Sequence, residues 1–128
     1  MKRLLVACCI ILAVGFLSCV RYRGNNVSIE MQETDNTFTF HGLYNKKKTR
    51  KVQQYMDDQI GNNNNLSFVN TTMDATITLD DRTTMYVKLK QGELGIKMDR
   101  SKNSYASYVR VREMCEGLKQ VMSENGTD

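Results

Sequence analysis

The fold class this sequence predicts is α+β: a two-layer sandwich in which a mostly antiparallel sheet of about five or six strands is covered by two helices, in the order ββα(β)βββα. Three observations predict it. Apolar and polar residues alternate over five short stretches between residues 27 and 98, the period of a half-buried strand. Two other stretches carry apolar residues three and four apart, the stripe of an amphipathic helix. Strands with a single apolar face need a cover, and two such helices can supply it.

The elements follow in order. Val27, Ile29 and Met31 alternate with Ser28, Glu30 and Gln32; Glu33 to Asn36 supplies turn residues; Phe38 and Phe40 then alternate with Thr37, Thr39 and His41, which completes a hairpin. Asn45 is a good N-cap for a helix over 46–60, with Val52, Tyr55, Met56 and Ile60 on one face and Gly61 as its stop. Asn62 to Asn65 reads as a polar loop, and a short strand is expected at Leu66–Val69. Three regular strands come next, marked by Met73, Ala75, Ile77 and Leu79, by Met85, Val87 and Leu89, and by Leu94, Ile96 and Met98, with turns at Asp80-Asp81 and Gln91-Gly92. The last element is a helix from about 105 to 122 whose stripe is Tyr108, Val111, Cys115, Leu118 and Met122. No internal sequence repeat and no second domain are seen.

Composition bounds the function. A chain of 128 residues, 41% hydrophobic and 25% charged, has room for one compact domain and is neither a disordered polyelectrolyte nor a polytopic membrane protein. The averages conceal two objects. Residues 1–18 open with Lys2 and Arg3 and continue as an apolar run from Leu4 to Leu17, the marks of an export signal. The remainder divides into a tether over 19–26 and a single domain over 27–128. Without the leader, 18 basic residues against 14 acidic become 16 against 14, so a net charge of +4 falls to +2.

The leader ends Phe16-Leu17-Ser18-Cys19, which resembles the lipobox of bacterial lipoprotein precursors. That resemblance covers the leader alone, and Phe16 stands where the family usually has Leu. It implies cleavage before Cys19, a diacylglycerol on the Cys19 thiol and attachment to a membrane, anchored rather than spanning. Val20, not Asp, follows the cysteine, which in Gram-negative members of the family favours the outer over the inner membrane. The alternative is an ordinary cut after Gly15, a secreted soluble product, and a Cys19–Cys115 disulfide made possible by an oxidising compartment. The sequons at Asn26, Asn65, Asn70 and Asn125 would matter only in a eukaryotic secreted protein.

No catalytic constellation accompanies the leader. His41 is the single histidine, without a nucleophile elbow, and Cys115 falls on an apolar helix stripe where a thiol behaves as an inert small hydrophobe. No Cys or His spacing suits a metal, and neither a metal nor a cofactor is expected; Asp57-Asp58 reads as a polar helix face and Asp80-Asp81 as turn chemistry. The most visible charge feature is Lys46, Lys47, Lys48, Arg50 and Lys51, five cations in six residues at a helix start, where they oppose the dipole. They form a candidate surface for anionic lipid or lipopolysaccharide, while export argues against nucleic acid. Tyr105, Arg110 and Arg112 are a candidate contact for a protein partner in the envelope, since Tyr and Arg dominate interface hot spots. The expectation is a small membrane-anchored lipoprotein acting as a non-enzymatic binding module. The alternatives are an inhibitor or immunity-type lipoprotein, and a small hydrolase using His41.

Overall fold

The computed structural model describes residues 18–24 and 27–124, so residues 1–17 of the expected leader lie outside the described residues. The described residues form an α+β two-layer sandwich. Its strands are β1 (Ser18–Gly24), β2 (Val27–Glu33), β3 (Thr37–Leu43), β4 (Met73–Thr78), β5 (Thr84–Lys90) and β6 (Glu93–Asp99), and its helices are α1 (Thr49–Met56) and α2 (Tyr105–Ser123). All pairings are antiparallel, in the spatial order β1-β2-β3-β6-β5-β4. The order is its own mirror under exchange of the two halves: each half is a three-strand meander followed by a helix, and β3 meets β6 at the centre. The topology repeats although the sequence does not.

Both helices lie on one face. Ile29, Met31, Phe38, Phe40, Met85, Val87, Leu89, Leu94, Ile96 and Met98 point toward them and are buried, and the whole predicted stripe of α2 is buried against them. The alternating partners, Glu30, Gln32, Thr39, His41, Lys88 and Lys97 among them, form the opposite face, which no helix covers among the described residues. The turns obey local chemistry. Gly92 sits at φ +75 in the two-residue β5–β6 turn, in the left-handed region where a side chain is strained. Ser104 caps α2 by accepting from the Ser107 amide at 3.0 Å.

Three expectations are corrected. The segment 19–26, expected as a tether, contains β1: Ser18–Gly24 pairs with β2 over its full length, from Ser18 opposite Glu33 to Gly24 opposite Val27. Its own alternation of Val20 and Tyr22 with Cys19, Arg21 and Arg23 suits a strand, and β2 would otherwise leave its outer backbone groups unpaired. The strand expected at Leu66–Val69 is a loop. Its shape is set by Phe68, which is fully buried, and by Asp57, whose carboxylate accepts from the Phe68 amide and from Ser67. Asp57 is therefore a structural cap rather than a solvated face residue. The helix expected over 46–60 is three pieces: a 3₁₀ turn at Lys46–Lys48 capped by Asn45, α1, and a π turn at Asp57–Gly61. The buried Thr49 hydroxyl, accepting from the Gly92 amide at 3.0 Å, ties the start of α1 to the β5–β6 turn.

Registry gives the sheet two distinguishable ends. At one end Ser18, Glu33, Phe38 and Met98 lie side by side, followed by the 3₁₀ turn Arg100–Lys102 and the start of α2. At the other lie Gly24, Val27, Leu43 and Glu93, with Lys46–Lys48, Gln91-Gly92 and the C-terminus of α2. Strands of this length separate the two ends by about 20 Å at about 3.3 Å per residue.

Candidate functional site

The basic run does not act as one surface. Lys48 turns back to α2, its Nζ donating to the Met122 carbonyl at 3.0 Å and to that of Glu124. A cation on the last carbonyls satisfies acceptors that have no partner within the helix and suits the negative end of its dipole, so Lys48 is a structural cap. Lys51 is engaged within the protein as well. Lys46, Lys47 and Arg50 behave differently. They line one side of a cleft of about 450 Å³, with Asn70, Thr71 and Thr72 opposite and Gln91 at its edge.

The far wall of this cleft is fixed by Gln53. Its side chain is almost fully buried, donating through Nε2 to the Thr71 carbonyl at 3.3 Å and accepting on Oε1 from the Asn70 amide at 3.0 Å. Asn70 adopts φ 58, a left-handed conformation that Asn tolerates better than most residues. No carboxylate lines the cleft among the described residues. Among the described residues Lys46, Lys47 and Arg50 make no ion pair, whereas Arg21, Lys90, Arg110, Arg112 and Lys119 each hold a carboxylate.

The predicted partner contact separates into different roles. Arg110 is paired with Asp81 and donates to the Thr83 hydroxyl at 2.9 Å, which ties α2 to the β4–β5 turn. Arg112 Nε lies 2.9 Å from a Glu33 carboxylate oxygen. Both guanidiniums are thus occupied internally, because α2 crosses the sheet where acidic side chains are within reach. Tyr105 alone stays open, 75% exposed, with its ring centroid 6.0 Å from that of the buried Tyr108. Arg100 stacks on Tyr108 from another side, 3.9 Å above the ring.

His41 lies on the uncovered face, where Nε2 and Glu93 Oε2 are 2.8 Å apart, and Lys90 adds a 3.2 Å ion pair to the other oxygen. These hydrogen bonds, His41 first and Lys90 second, hold the Glu93 carboxyl below the usual carboxylate range. The sequence could not announce this pair, since 52 residues separate its members and only the β3–β6 register joins them. Among the described residues no hydroxyl or thiol hydrogen-bonds to His41, so the pair stops short of a nucleophile–base–orienter array. A second cleft of about 410 Å³ opens on the same face between Tyr86, Lys97 and Lys102, but there the lysines share the space with Asp99.

The two described cysteines lie in different environments. Cys19 is exposed, at the Glu33 end of the edge strand; Cys115 is fully buried on α2, on the side of the sheet that the helices cover. The Cys19 register, opposite Gln32, puts it on the uncovered face, so the layer of the sheet itself keeps the two thiols apart and the bridge entertained for a soluble product has no geometry here. Burial pushes the Cys115 thiol well up, with Glu116 adding to it, which removes its nucleophilic form. We expect peptide mapping after iodoacetamide treatment to leave Cys115 unmodified in the native protein and to modify it in step with urea unfolding. Rapid native modification would mean that α2 is not packed as described.

Compared with protein-family models, curated proteins and solved structures, the chain finds no match in any of the three. The fold and site therefore define it only as an α+β sandwich carrying a cationic cleft at one end of an open-faced sheet.

Proposed function

We infer that this protein is a lipid-anchored, non-enzymatic binding module of the bacterial cell envelope, held by an acyl-modified Cys19 and facing partners with its α+β domain. The observation that carries the reading is the position of Cys19: exposed at the end of an edge strand, directly behind the lipobox-like Phe16-Leu17-Ser18, with the only other described thiol buried. A diacylglycerol there meets no packed core. Because Cys19 already belongs to β1, the anchor acts on the sheet without an intervening tether. The Arg100–Lys102 turn and the exposed Tyr105 then share the membrane-proximal end, and the cleft of Lys46, Lys47 and Arg50 opens at the distal end. The outer membrane is the favoured location, on the strength of Val20 after the cysteine.

Intact mass of the full-length gene product extracted from bacterial membranes tests this. We expect a chain that begins at Cys19 and carries the mass of a diacylglycerol. A mature form beginning at an unmodified Phe16, or one still carrying Met1, rejects the lipoprotein reading.

A further inference from the structure

We propose that the cleft between Lys46, Lys47 and Arg50 on one side and the 70–72 loop on the other is a binding site for a small organic phosphate. The site itself stands independently of the lipid anchor; only the preference for a soluble source of the phosphate rests on that reading. Three observations converge on it.

The first is uncompensated charge. Three cations converge on one cleft, at a helix start whose first turns hold no acidic residue and whose side-chain cap is the neutral Asn45. Each cation there opposes the helix dipole by a few tenths of a kcal/mol, and no carboxylate offsets them. Arg110 and Arg112, by contrast, each hold a carboxylate. A bound dianion converts all three repulsions into attractions.

The second is shape. The cleft, at about 450 Å³, falls in the range of small-molecule sites. Its far wall is preorganised, since Gln53 uses both ends of its amide to fix the backbone of Asn70 and Thr71. Ordering of that wall is thus complete before a ligand arrives, which lowers the cost of binding.

The third is the kind of group around the charge. The fork of Arg50 matches two phosphate oxygens and the two lysines act as point charges on the remainder. Thr72, Asn70 and Gln91 surround them with neutral donors and acceptors suited to ligand hydroxyls. Three cations facing neutral amides and hydroxyls favour a phosphate on a hydroxylated carrier over a simple monocarboxylate. The same phosphate could arrive on a soluble sugar or on a lipid headgroup. Distance from Cys19 along the sheet favours the soluble source when the protein sits on its own membrane.

Titration of the ¹⁵N-labelled protein, followed by amide shifts, tests the site with four probes: inorganic phosphate, glucose 1-phosphate, glucose, and phosphatidylcholine vesicles containing phosphatidylglycerol. We expect saturable shifts confined to residues 46–50, 70–72 and 91 with both phosphates, weakened by salt and absent with glucose. Glucose 1-phosphate should bind more tightly than inorganic phosphate. The triple variant Lys46→Gln/Lys47→Gln/Arg50→Gln should lose at least about tenfold in affinity. The charge-matched Lys88→Gln/Lys97→Gln/Lys102→Gln should keep it, and circular dichroism should show both folded. Absence of saturable shifts with either phosphate overturns the proposal, as does equal weakening by both triple variants. Vesicle binding through Lys46, Lys47 and Arg50 without response to the soluble phosphates overturns it in favour of a headgroup surface.

Discussion

Phe38→Ala is expected to lower the unfolding free energy by about 3–5 kcal/mol, a large share of the roughly 5–15 kcal/mol available to a domain of this size. Phe38 is completely buried on β3 and meets Tyr108 of α2 edge-on, with centroids 6.0 Å apart and planes at 76°. Truncation loses the transfer free energy of the ring and the aromatic pair, and leaves a void beside a residue that is itself fixed. Tyr108 is buried and braced by Arg100, stacked 3.9 Å above its ring, so it does not swing in freely to fill the space. Phe38→Leu, which keeps most of the volume, should cost less than about 1.5 kcal/mol. Urea unfolding followed by far-UV circular dichroism reads both, with an unchanged m-value as the sign that stability alone has moved. A loss below about 1 kcal/mol for Phe38→Ala would mean that α2 does not rest on β3.

What made Phe38 identifiable is the kind of information a linear sequence carries well. Alternation has a period of two, and every residue of Phe38, Phe40, Met85, Val87, Leu89, Leu94, Ile96 and Met98 that it assigns to the inner face is buried there. The three-and-four spacing of Tyr108 to Met122 served α2 equally well. Period says less where coverage is partial. On β4, Met73 and Ile77 are only half-buried and Ala75 is exposed, because an edge strand lies beyond the reach of two helices. β1 was hidden for a different reason. Its alternation of Val20 and Tyr22 with arginines is short, and its place behind a leader made a tether the natural reading; only the unpaired edge of β2 turns it into a strand.

The candidate site was legible in composition and illegible in direction. A run of cations shows that charge is concentrated, but adjacent residues on a tight helical turn point different ways. One-dimensional reading could not send Lys48 to the end of α2 while leaving Lys46, Lys47 and Arg50 on a cleft whose opposite wall lies some twenty residues later. Asp57 on the Phe68 amide, Arg110 on Asp81 and His41 beside Glu93 are likewise set by chain crossings, and no local spacing encodes them. Residues whose role depends on the nearest repeat of their own element were readable. Residues whose role depends on a partner more than ten positions away were not.

Gly117→Ala tests a close contact between the two helices, and it should reverse the sign that helix propensity alone predicts. In the interior of an exposed helix, Ala in place of Gly gains about 1 kcal/mol. Here a Cβ on Gly117 would stand 1.7 Å from the Tyr55 hydroxyl oxygen and 2.6 Å from Cζ, so the tyrosine of α1 must move. Its ring packs against the core, and displacing it is expected to outweigh the propensity gain, for a net loss of about 1–3 kcal/mol. The contact is with the ring as well as the hydroxyl, so Tyr55→Phe should relieve it only in part. With Tyr55→Ala already present, Gly117→Ala should become stabilising, and the coupling in the double-mutant cycle isolates this one contact. Stabilisation by Gly117→Ala in the otherwise unchanged protein would show that α1 and α2 lie farther apart than described. The consequence reaches the cleft, because α1 carries Arg50 and Gln53 on the same short helix as Tyr55. A side chain forced between the helices should loosen the Gln53 bonds to Asn70 and Thr71, and phosphate affinity should fall in the Gly117→Ala protein although no cation has been removed.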